Sequence, residues 1–183
     1  MMEVAVRSAN GSGWSYDHVG GTVGDLPDGY THDVRSGVVG RAVPNDTEAA
    51  WELAKSRLRA WAQFDIPWVR MYRKDTPIAE GEVVAFASRQ LGLWALNVCR
   101  IVYVIDESHR FGFAYGTLEG HAVSGEECFL LSRSEGSDEI RFEVRKFSRL
   151  DHPVVRLAGA AARAVQARFS REAIEALRRA VSP

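Results

Sequence analysis

Hydrophobic and polar positions alternate with a period of two through most of the middle of this chain. Phe111, Phe113 and Tyr115 exchange places with Gly112, Ala114 and Gly116, so an extended backbone puts three rings on one face and three minimal residues on the other. A face of small residues permits a close approach by another group. The same reading gives an extended run at 30–39, short runs at 68–72 and 82–88, and a β-branched run at 93–105. Asp106 to His109 supplies a turn into 110–116, and SEGSD at 134–138 joins runs at 126–133 and 139–147 as a hairpin. The predicted sheet is an antiparallel meander.

Two stretches follow the helical period instead. Pro44 and Asn45, with Glu48 three residues on, predict a capped start to a helix running to Trp61, whose apolar stripe is Ala50, Trp51, Ala54, Leu58 and Trp61. From 150 to 181 apolar positions recur through Val154, Leu157, Ala161, Val165, Phe169, Ala173 and Leu177, which predicts one long helix with a break near Gly159. Its other side carries Arg156, Arg163, Arg168, Arg171, Arg178 and Arg179, either a solvated face or a surface for an acidic partner. Residues 1–29 read as turns anchored by Trp14 and Tyr16.

Composition narrows the classes. A chain of 183 residues, 46% hydrophobic and 26% charged, suits one domain spanning 1–183 with a real core. The net charge of −1 gives no field to draw nucleic acid or anionic lipid over the whole surface. No apolar run approaches a membrane span and no leader pattern opens the sequence, so a cytoplasmic location is expected and membrane insertion is not. Cys99 and Cys128 each sit in an apolar run, where free buried thiols are the commoner outcome.

GSGWSYDHVGGT (11–22), LGLWALNVCRIVYVIDE (91–107), RFGFAYGTLEGHAVSGEECF (110–129) and FSR (147–149) resemble the segments of the bacterial and plant group called uncharacterised protein family 0548. The resemblance runs along nearly the whole chain. Ala122 and Val123 depart from it, standing where its pattern has a proline and a charged residue. The order of elements is also similar to the START-like, helix-grip superfamily that includes the birch pollen allergen. That likeness implies an antiparallel sheet wrapped round a C-terminal helix over a hollow, with functions ranging from lipid carriage to cyclase chemistry.

Nucleotide-binding motifs are absent, since the glycines at 11, 13, 20 and 21 lack the GxGxxG spacing and no GxxxxGK[ST] occurs. No GxSxG is present, and Ser124 has only sequence proximity to His121. His32, His109, Asp33, Asp106 and Glu107 lack ligand spacing, so neither metal nor cofactor is expected. His121 follows the turn after the aromatic strand and suits proton transfer near neutral pH, or else is a loop histidine bonded to backbone. Glu126 and Glu127 fall on opposite faces of one strand, and the inward one needs a partner from Arg100, Arg141 or Arg145.

These readings combine into an α+β helix-grip fold, a curved sheet of six or seven strands wrapped around the C-terminal helix. The expected function is binding of a small apolar or aromatic molecule between sheet and helix. Phe111, Phe113, Tyr115, Phe129, Phe142 and Phe169 are the expected walls, and Asn97, Arg100, Tyr103, His121 and Glu127 the polar contacts. The alternatives are a cofactor-independent cyclase, isomerase or hydrolase using His121 and Glu127, and an interaction module using the arginine face. Tyr115 and His121 are expected at one mouth, completed by Glu127 or Arg100.

Overall fold

The computed structural model describes residues 2–9, 11–41, 47–90, 92–121, 123–134, 136–150 and 159–182. The predicted cap at Pro44 and Asn45, residue Ala122, and residues 151–158 of the predicted helix lie outside the described residues. Helix α1 (Met2–Ala9) opens the chain, a helix the turn-rich reading of 1–29 did not contain. Strand β1 (Thr31–Arg41), helix α2 (Thr47–Arg59), a 3-10 turn (Ala62–Phe64) and strands β2 (Val69–Tyr72), β3 (Val83–Gln90), β4 (Leu93–Asp106), β5 (Arg110–Thr117), β6 (Ser124–Arg133) and β7 (Glu139–Arg149) follow. Helix α3 (Gly159–Val181) ends it.

The fold is α+β and of the helix-grip kind. Seven antiparallel strands in the order β1-β7-β6-β5-β4-β3-β2 form one curled sheet around α3. Pairing keeps the inward residues in line: Phe113 faces Phe129, Tyr115 faces Glu127, Glu127 faces Lys146, and Lys146 faces Asp33. Helix α3 buries Phe169, Ala173 and Leu177, four residues apart, against this concave side.

Helix α2 stops at Arg59, short of the predicted Trp61. Trp61 instead takes a left-handed conformation at φ 59°, which turns the chain into the 3-10 segment and drives the indole and Phe64 into the core. Trp61 Nε1 donates to the Thr76 carbonyl at 2.9 Å, so the buried indole N–H is satisfied. These rings occupy the space in front of β5: Trp61 lies 5.0 Å from Phe113 and Phe64 lies 5.9 Å from Phe129.

A bulge in β4 decides a second feature. The register shifts between Ile101 and Tyr103, so Ile101 faces Tyr115 on the concave side while Tyr103 faces Ala114 and turns to the convex side. There the segment between α1 and β1 crosses the sheet as a strap, Trp14 bridging to Leu118. The small face of β5 is what allows it: a Cβ on Gly116 would fall 1.9 Å from the Tyr16 hydroxyl.

Candidate functional site

A cavity of about 140 Å³ opens between the concave face of β3 to β7 and helix α3. Trp68, Phe86, Cys99, Tyr115, Val165 and Phe169 give it mostly apolar walls, and Asn97, His121, Glu127, Lys146 and Gln166 bring the polar atoms. At ~30 Å³ of liquid per water the volume holds four or five waters, or one substituted ring.

The deep end is an ion pair built by strand alternation. Glu127 and Lys146 are opposite one another on β6 and β7, both inward, and Lys146 Nζ donates to Glu127 Oε1 at 2.9 Å. Tyr115, the next residue in the same row, donates its hydroxyl to Glu127 Oε2 at 2.7 Å. Lys146 Nζ also donates to the Gln166 carbonyl at 3.1 Å and stands 3.9 Å from Asp33 Oδ2. Asp33 is in turn held by Arg35 at 2.9 Å and by the Ser170 hydroxyl at 2.9 Å. Only 4% of Tyr115 and 9% of Glu127 are exposed, so the pair is dry and must be satisfied internally. Burial, and next the Glu127 carboxylate, push the Tyr115 phenol well above its ordinary range, so it stays protonated and a donor.

His121 lies at the mouth. Its Nδ1 accepts the Val123 backbone N–H at 3.1 Å, which leaves the proton of the neutral ring on Nε2. Burial lowers its pKa, and a ring whose Nδ1 accepts a hydrogen bond is itself neutral, so the neutral form holds at neutral pH. Asn97 contributes from β4: its amide nitrogen donates to the carbonyls of Phe86 and Ala95 at 3.3 and 3.2 Å, which fixes its oxygen as an acceptor.

The structure thus brings Asn97, Tyr115, His121, Glu127 and Phe169 together around one hollow. It places the other expected wall and contact residues elsewhere. Phe111, Phe113, Phe129 and Phe142 face inward but are packed beneath α2 and the 3-10 turn, because Trp61 and Phe64 fill the space they would have lined. Phe111 lies under the Arg59 guanidinium, 4.2 Å from its ring centre, and Phe142 stacks on Phe129 at 6.2 Å. Tyr103 is on the convex face through the β4 bulge, its hydroxyl 2.7 Å from Thr22 Oγ1. Arg100, opposite Gly116, is convex too; it donates to the Ala9 carbonyl at 2.7 Å and lies 5.4 Å from the Trp14 ring. None of Arg100, Arg141 and Arg145 partners Glu127; Lys146 does. The sequence carried that signal, since Ile140, Phe142, Val144 and Lys146 share one parity and Arg141 and Arg145 the other.

Glu126, the outward twin, is 2% exposed because the strap covers it. Its carboxylate accepts from the Tyr16 hydroxyl at 2.8 Å, the Gly20 N–H at 2.7 Å, and the N–H and hydroxyl of Thr22. Cys99 faces the cavity and Cys128 the convex side, and both thiols are free. Burial pushes the Cys128 thiol up to about 11 and Cys99 higher still. Among the described residues no group of three His, Cys, Asp or Glu is placed to hold a metal, and no helix is long and apolar enough to cross a membrane.

Residues 15–176 match the family described as Domain of unknown function (DUF1990). The chain belongs to this family. A UPF0548 protein from Deinococcus radiodurans is 36% identical over 180 residues, covering 92% of this chain and 84% of its own length. One from Dictyostelium discoideum is 36% identical over 124 residues, covering 58% of this chain, which spans only 57% of that relative's length. Two solved structures share the fold at low identity. Ara h 8.0201 has a TM-score of 0.52 at 16% identity, covering 84% of this chain and 98% of its own. The Zhui aromatase/cyclase from Streptomyces sp. R1128 has a TM-score of 0.54 at 15% identity, covering 83% and 93%.

Proposed function

We propose that this protein binds a small, largely apolar molecule, of about one ring, in the cavity between the sheet and α3, with the Glu127, Lys146 and Tyr115 cluster as its orienting end. The observation that carries the reading is an apolar hollow that ends on a fully paired but dry ion pair. Apolar walls give water in the hollow few partners, so an apolar ligand displaces poorly held water, and the polar end fixes its orientation. The likeness in fold to a protein named as an aromatase/cyclase supports small-molecule use of such a hollow. We place this activity in the cytoplasm, as the sequence leads one to expect.

A catalytic reading rests on one further observation: a neutral His121 and the Glu127 carboxylate line the same cavity, so an acid or base stands at each end of a bound ring. The arginine-face reading gains no such support. Arg168 pairs with Glu172, Arg178 with Glu175 and the Val38 carbonyl, Arg163 with Thr31, and Arg179 with the Asp65 carbonyl.

Val165→Phe builds a ring into the hollow and supplies the test. Toluene titrated into the isotope-labelled protein should shift resonances of residues around Tyr115 and Phe169, and the filled variant should bind at least tenfold more weakly. Equal binding to both proteins, or no binding of any neutral single-ring probe, overturns the proposal.

A further inference from the structure

The hydrogen-bond inventory at the deep end of the cavity is lopsided. Tyr115 spends its only proton on Glu127. Lys146 directs its N–H groups to Glu127 Oε1, to the Gln166 carbonyl and toward Asp33. The Tyr115 proton and two of the three ammonium N–H groups are hydrogen-bonded to protein acceptors, and the third faces the Asp33 carboxylate 3.9 Å away. Acceptors remain: a phenolic oxygen keeps its lone pairs while donating, and a carboxylate has about four acceptor sites of which two are used here. A group arriving at this end meets free acceptors, and no donor outside the Lys146 ion pairs.

Charge is balanced at the same place. Glu127 and Lys146 form one pair, Asp33 and Arg35 the other, so two carboxylates meet two cations. A charged ligand of either sign therefore brings an uncompensated charge into a dry site, which is strongly unfavourable. The walls Trp68, Phe86 and Phe169 offer ring faces and edges within a volume that admits about one ring.

We infer that the ligand is a neutral single-ring molecule carrying a hydrogen-bond donor, a phenolic hydroxyl or a ring N–H, which it presents to Tyr115 Oη and Glu127. This deepens the binding proposal above and rests on it. The donor requirement comes from the protein's spent protons, and neutrality from its two closed ion pairs.

Five probes separate the possibilities by calorimetry at neutral pH: phenol, anisole, toluene, benzoate and benzylammonium. Phenol should bind roughly tenfold tighter than anisole or toluene, the gain of one buried hydrogen bond. Both ions should bind more weakly than toluene, and Val165→Phe should abolish the phenol signal. Toluene or anisole binding as tightly as phenol, or either ion binding most tightly, overturns the donor inference and leaves the cavity proposal standing. If none of the five binds, or if Val165→Phe leaves phenol binding intact, the cavity proposal fails and the inference fails with it.

Discussion

Lys146 is the residue on which the electrostatics of the cavity turn. It is the nearest cation to Glu127, at 2.9 Å, and only 7% of its side chain is exposed. Replacing it by Met leaves a buried carboxylate with Tyr115 as its remaining donor among the described residues, and breaking such a pair costs about 3–5 kcal/mol. Urea unfolding of Lys146→Met should show that loss. Adding Glu127→Gln should restore more than half of it, because the amide oxygen still accepts from Tyr115 and no charge is stranded. A single variant costing under about 1 kcal/mol would show that the pair is solvated. Alternation along β7 makes the inward lysine legible in the sequence, and alternation along β6 separates Glu127 from Glu126. What alternation does not report is the identity of the partner across the sheet, which strand register sets.

At the scale of elements, β5 works through both faces. Its ring face packs against Trp61 and Phe129, and its glycine face admits Tyr16 of the strap. The sequence showed that something approaches the small face, and the structure shows that the visitor is the chain's own N-terminal segment. Gly116→Val should evict Tyr16 and strand Glu126, destabilising the protein by on the order of 3 kcal/mol. Cleavage by trypsin at Arg7 should also accelerate. Since the change lies on the convex side, toluene binding in the cavity should persist. A variant as stable and protease-resistant as the parent would mean that the strap contributes nothing to the sheet. Two element boundaries were out of reach of periodicity. Helix α2 keeps its apolar spacing through Trp61, yet a left-handed residue ends it there; β4 keeps its β-branched composition through a bulge that reverses Tyr103.

For the molecule as a whole, α3 is the main cover of the concave face, burying Phe169, Ala173, Ile174, Ala176, Leu177 and Val181. Removing residues 159–183 should therefore abolish cooperative unfolding by circular dichroism, and a soluble truncation with a sharp melt would refute that dependence. The sequence by itself determined the strands, the long terminal helix and their antiparallel arrangement, because a period of two or of 3.6 is a property of the local backbone and survives any packing. It also sorted the side chains of each regular strand into two faces. Only the tertiary structure decided which part of that inward face is hollow. Phe111 and Phe113 belong to the same aromatic row as Tyr115, but a turn some fifty residues earlier in the chain sets Trp61 5.0 Å from Phe113 and Arg59 covers Phe111, while Tyr115, with Phe64 at 6.4 Å, still borders the hollow. Whether a face is packed or open depends on the volume delivered by distant segments, and no local pattern along the chain records that sum.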